Sequence, residues 1–182
     1  MTQHTAHSEH VKKLGEMIKD IDIAMLTTTM PDGTLRSRPM STQKTEFDGT
    51  LWFFTQASAT KVDEIQHNQH VNLSYADTDD QRYVSVSGRA NLVRDKAKAK
   101  EFWQPIYKAW FPQGLEDPDL ALLKVTVEQA EYWDTPSSKM VELIGFVKAL
   151  ATGKDAGEMF ENEKVQLKQA PSQRSPAPVK SR

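Results

Sequence analysis

Two Asp-Gly pairs, Asp32-Gly33 and Asp48-Gly49, each stand between runs rich in β-branched and aromatic residues, and they constrain the fold most. Glycine after aspartate supplies the positive φ of a tight reversal, so such pairs mark the ends of short antiparallel strands. "IAMLTTT" (23–29) and "TLRSRPMSTQ" flank the first pair, which reads as a hairpin with a two-residue type I′ turn. The second pair turns the chain into "LWFFT" (51–55), a third strand. "VNLSYAD" (71–77) and "RYVSVSGRANLV" (82–93) read as the fourth and fifth. Gly88 inside the fifth predicts a bulge or a bend. "LALLKVTVEQAEYWD" (120–134) adds one further strand or two short ones.

Helical spacing interrupts this series. After a loose segment 1–8, Val11, Leu14, Met17, Ile18 and Ile21 form one stripe of a helix over 9–21. Thr60 with Asp63 reads as a capping box, which starts a short helix from Lys61 to about Asn68. Residues 95–110 are helical until Pro105, and a capped amphipathic helix ends at Gly153. Its stripe is Met140, Leu143, Ile144, Val147 and Leu150. Residues 152–182 are polar and proline-bearing, and read as a tail without fixed structure. The expected architecture is one domain over 9–151, mainly β with flanking helices (α+β), built as a small antiparallel barrel. Closing the sheet would remove its exposed edges.

Composition limits the function. Lys plus Arg is 23 against 25 for Asp plus Glu, so no basic field favours nucleic acid. The chain has no cysteine, which excludes disulfides, thiolate metal sites and cysteine nucleophiles. No apolar stretch approaches the ~18 residues of a membrane span, so no membrane partner is expected. "MTQHTAHSEH" lacks the pattern of a signal peptide, and a cytoplasmic protein is the expectation. No histidine, serine triad or carboxylate pair stands out as catalytic, and no metal site is assigned.

The chemistry concentrates on anions. Alternation puts Arg36, Arg38, Met40 and Thr42 on one side of the second strand. Lys61 falls in the first turn of a helix, whose backbone N–H groups suit a phosphate. A cation is disfavoured at that positive end, unless an anion sits there. On these residues alone, a solvent-facing lysine packed on Trp52 or Phe54 carries equal weight. "WFFT" likewise reads as a strand buried on both faces.

Taken in series, "RSRPMS", "LWFFTQASATKVDEIQHNQHVNLSY", "YVSVSGRA" and "PDLALLKVTVEQAEYWD" resemble the pyridoxamine-phosphate-oxidase-like FMN-binding split barrels. Within that group the likeness is to the general stress protein subfamily. It implies a split β-barrel that forms a homodimer with FMN at the subunit interface. The resemblance sets Arg38, Pro39 and Met40 on the strand that meets the flavin and its phosphate. It sets Gln43 or Lys44 near the pyrimidine side of the ring, and Phe54-Thr55 beside the ribityl chain. Thr60-Lys61 match the end of the oxidases' phosphate cradle, where Ala59 precedes them and the central arginine is missing. Arg36 or Arg38 then supplies the second charge. Trp133 matches an aromatic near the partner's flavin, with dimer-core packing as an equal alternative. The candidate cofactor-binding set is Arg36, Ser37, Arg38, Pro39, Met40, Gln43, Phe53, Phe54, Thr55, Thr60, Lys61 and Trp133.

After Trp133 the chain reads "DTPSSKMVELIGF", without the basic segment that holds pyridoxal phosphate in the true oxidases. That argues against pyridoxamine phosphate oxidase activity. Two functions stay open: an FMN-dependent oxidoreductase drawing on NAD(P)H, and a non-catalytic FMN carrier or sensor.

Overall fold

The computed structural model describes residues 2–134 and 161–167. The expected helix carrying Met140 and Leu150 lies outside the described residues, as does the tail beyond 167. Among the described residues seven strands form one antiparallel sheet: β1 (Ile23–Thr29), β2 (Leu35–Ser41), β3 (Thr50–Gln56), β4 (His70–Asp77), β5 (Arg82–Val93), β6 (Leu120–Asp134) and β7 (Glu161–Gln166). Their hydrogen-bonded order is β2-β1-β4-β5-β6-β3, with β7 also on β6. The path ends at β2 and β3 without closing, so the barrel is split. Among the described residues three α-helices flank it: α1 (Thr2–Ile18), α2 (Thr60–His67) and α3 (Lys96–Phe102).

The first Asp-Gly pair makes a different turn from the one its residues predict. The β1–β2 ladder ends at Thr29↔Leu35, leaving a five-residue loop. Gly33 N–H donates to the Met30 carbonyl at 2.9 Å, which places Pro31 and Asp32 at the turn's centre. Proline's fixed φ suits the first central position of an ordinary turn, and only Gly33 takes positive φ (85°). Asp32 instead accepts from the Thr34 N–H at 3.0 Å and the Thr34 hydroxyl at 2.6 Å. At the second pair there is no hairpin: Gly49 accepts from the Val127 N–H at 2.9 Å, and β3 crosses to pair with β6.

The bulge expected at Gly88 is present. Ser87 faces Gln129 and Gly88 faces Val127, so Glu128 of β6 is the extra residue. A Cβ on Gly88 would lie 2.3 Å from the Thr126 carbonyl oxygen. Only glycine lets the two backbones approach this closely.

Alternating residues of each strand fill one core. Leu26, Phe53, Leu73, Tyr75, Val84, Val86, Leu123 and Val125 are buried there, and Leu14, Met17 and Ile18 of α1 cap it. The helix runs from Thr2 to Ile18, starting earlier and ending a turn sooner than its apolar stripe suggests. A second cluster forms on the other side of β3 and β6, where α3 brings Ala99 and Phe102 onto Leu122, Trp52 and Phe54. Strand β3 is therefore covered on both faces. The segment 161–166, which reads as part of a tail, pairs with β6 and buries Val165 in the main core.

Candidate functional site

Strand β2 is one end of the sheet, and its inner face carries Arg36, Arg38 and Met40. Directly opposed residues of an antiparallel pair share a face. Arg36 lies opposite Thr28, Arg38 opposite Leu26 and Met40 opposite Ala24, all three partners buried. Two arginines thus point toward the core side, where a bare cation would be costly. Helix α2 meets them with a carboxylate. Glu64 is only 4% exposed, and its Oε2 accepts from Arg38 Nη2 at 2.7 Å and from the Thr28 hydroxyl at 2.5 Å. Arg36 Nη1 stands 3.6 Å from the other carboxylate oxygen.

Burial pushes the Glu64 pKa up. The hydrogen bonds from Thr28 and Arg38, with the charges of Arg38 and Arg36, outweigh it and hold the carboxyl below its usual range. Lys61, one turn before Glu64 on α2, is half-buried. Desolvation lowers its pKa first and the Arg38 charge lowers it further, while Glu64 raises it. Lys61 has no hydrogen-bond or ion-pair partner among the described residues.

Three cations thus surround one carboxylate, and the surplus among these four groups is two positive charges. Arg38 also keeps a buried donor, Nη1, that has no acceptor. An unsatisfied buried donor costs about 1–3 kcal/mol, more when charged. A phosphate monoester answers both features, since it brings nearly two negative charges and three acceptor oxygens.

The helix start is built differently from the capping box that Thr60 and Asp63 suggest. Ala59 is the N-cap and no side chain caps the helix; Thr60 is its first residue. The first-turn N–H groups therefore have no capping side chain.

The other candidate residues divide. Ser37 and Pro39 lie on the outer face of β2, where the Ser37 and Thr27 hydroxyls are 2.7 Å apart. Met40 and Phe53 are core residues. Phe54 packs in an aromatic group with Tyr107, Trp103 and Phe111, its ring 4.5 Å from that of Tyr107. Thr55 is buried, and its hydroxyl donates to the Gln56 carbonyl at 3.2 Å. Gln43 is turned inward onto the Tyr107 hydroxyl at 3.0 Å, and Lys44 pairs with Asp22 at 3.3 Å. Trp133 stands on β6 between Tyr83 of β5 and Asn162 of β7. Its neighbour Tyr132 is buried, which puts Trp133 on the opposite, outer face.

Of the twelve, the structure brings Arg36, Arg38 and Lys61 to one place, with Thr60 next to Lys61 at the start of α2, and spreads the other eight over core, aromatic cluster and outer face. Glu64 and Thr28 are functional candidates that the motifs do not single out. The available signal for Glu64 is its position between the buried Val62 and Ile65, on a stripe where a carboxylate must find cations.

The family model described as pyridoxamine 5'-phosphate oxidase like matches residues 9–157. Protein bli-3 of Neurospora crassa is 27% identical over 158 residues, covering 81% of this chain and 76% of that protein. Among solved structures, a general stress protein 26 candidate from Jannaschia sp. CCS1 is 27% identical with a TM-score of 0.70. That likeness covers 88% of this chain and 99% of the other. The general stress FMN/FAD binding protein of Xanthomonas citri is 27% identical over 72% of this chain and 92% of its own, with a TM-score of 0.62.

Proposed function

The chain belongs to the pyridoxamine 5'-phosphate oxidase-like family, and from that premise we propose that it is a flavoprotein whose β2–α2 cation cluster binds the phosphate of FMN. The observation that carries this reading is the surplus of cations around Glu64, together with the buried, partnerless Nη1 of Arg38. The Xanthomonas citri relative, an FMN/FAD binding protein, supports a flavin as the ligand. A terminal monophosphate fits the two surplus charges.

Bound FMN supplies hydride and single-electron chemistry. The protein's part is to hold and orient it. Arg38 and Lys61 would donate charged hydrogen bonds to the phosphate, Arg36 would add a third charge, and the first-turn amides of α2 would complete the cradle. Two copies of the chain complete the site in this reading. The outer sheet face exposes Ile23, Met25, Leu35 and Tyr83, apolar side chains that a second copy would cover. Trp133 and Tyr83 are cross-strand neighbours on that face, so in this reading Trp133 belongs to the interface.

We propose an FMN-dependent oxidoreductase, with NAD(P)H as the donor to be tested and a non-catalytic FMN carrier or sensor as the alternative. The test is an absorbance titration with FMN, followed by NADPH without oxygen. A band near about 450 nm that bleaches on adding NADPH supports the oxidoreductase. Flavin that binds and stays oxidised points to a carrier or sensor, and no uptake overturns the flavin reading.

A further inference from the structure

Among the described residues, Glu64 is the one acidic side chain inside a site that the proposed function devotes to an anion. A carboxylate there repels a phosphate, so its presence needs a reason. One reason would be charge balance: Glu64 neutralises buried arginines when no anion is bound and merely competes with the ligand. The geometry points to a different one. Resting on the FMN reading, we propose that Glu64 is a positioning residue that fixes the Arg38 guanidinium and so gives the site its preference for phosphorylated flavin.

Arg38 is a long side chain on an end strand, and its guanidinium offers five donors in a rigid plane. A single ion pair leaves such a group free to rotate. Glu64 prevents that, because it is itself held. Its Oε2 accepts the Thr28 hydroxyl at 2.5 Å as well as Arg38 Nη2 at 2.7 Å, and Thr28 is a buried residue of β1. The carboxylate is thus tied to β1 through Thr28 and carried by α2, while the arginine it grips stands on β2. Fixing Nη2 in a planar group fixes Nη1, the buried nitrogen without an acceptor. Arg36, at 3.6 Å and half-exposed, is held far more loosely.

Two conservative variants separate positioning from charge. Glu64→Gln keeps the reach and an acceptor oxygen for Thr28 and Arg38, and removes the charge. Glu64→Asp keeps the charge and shortens the reach by one methylene, so Thr28 and Arg38 cannot both be held. Each protein is titrated with FMN and with riboflavin, the same flavin without phosphate. The ratio of the two affinities reads the phosphate contribution alone, and a general loss of stability leaves it unmoved.

Positioning predicts that E64Q keeps the wild-type ratio or raises it, since the repelling charge is gone, and that E64D lowers it about tenfold or more, the loss of one charged hydrogen bond. An unchanged ratio in E64D, or a ratio in E64Q that falls as far as in E64D, overturns the proposal. If wild-type protein binds FMN while E64D is unaffected, the positioning role alone fails. If wild-type protein binds no FMN, the flavin reading fails and takes this inference with it.

Discussion

The Gln43 amide and the Tyr107 hydroxyl are hydrogen-bonded through both amide atoms, at 3.0 Å from Nε2 and 3.1 Å from Oε1. Both residues are buried. The pair ties the segment after β2 to the short 3-10 turn Pro105–Ala109, and so braces the strand that carries Arg36 and Arg38. Tyr107→Phe removes the hydroxyl and leaves Gln43 with only its 3.2 Å bond to the Ser41 carbonyl. The expected loss is about 1–3 kcal/mol in urea unfolding.

Gly88→Ala should be more damaging. Its new methyl group would sit 2.3 Å from the Thr126 carbonyl oxygen, and a backbone atom cannot swing aside as a side-chain end can. Overpacking of this kind costs about 1–3 kcal/mol or more. Thermal unfolding of the variant checks it, and a melting temperature equal to wild type would contradict the bulge geometry.

Glu64 also sets a pH dependence. Its folded pKa lies below the unfolded one, so the stability it contributes is fully present above the usual glutamate range and is lost as pH falls through the folded value. Wild-type protein should therefore lose more stability between pH 7 and pH 3 than E64Q does. Equal slopes in the two proteins would show that the carboxylate is not held as described.

Leu35 is 71% exposed at the start of β2, on the outer face of the sheet. In the proposed dimer it is covered by the second copy. Leu35→Asp should shift the protein toward monomer in light scattering and weaken FMN binding together with it. A wild-type protein that is monomeric with flavin bound would contradict the interface site.

Strand positions were legible because burial imposes a period of two, and Gly88 was legible because a glycine inside such a run usually marks a bulge. Other features rest on contacts that one-dimensional patterns do not carry. The turn at Asp32-Gly33 depends on Pro31, whose fixed φ suits the first central position of an ordinary turn. Thr60 fails as a cap because the helix begins one residue earlier than its hydroxyl requires. Strand β7 reads "ENEKVQ", with Val165 as its single buried apolar residue among those described, so its pairing to β6 comes from backbone hydrogen bonds that any sequence can make. At the site, the alternation of Arg36 and Arg38 announced an anion. The first anion they meet is Glu64, brought from 26 residues beyond Arg38 by the fold.

The most direct measurement is an equilibrium titration of wild-type protein and of the Arg38→Ala, Lys61→Ala double variant with FMN and with riboflavin. At about 1.5–3 kcal/mol per charged hydrogen bond lost, the double variant should bind FMN weaker by ~3–6 kcal/mol and riboflavin nearly as wild type does. Equal affinity of wild-type protein for the two flavins, or FMN affinity unchanged in the variant, would contradict a phosphate site built from Arg38 and Lys61.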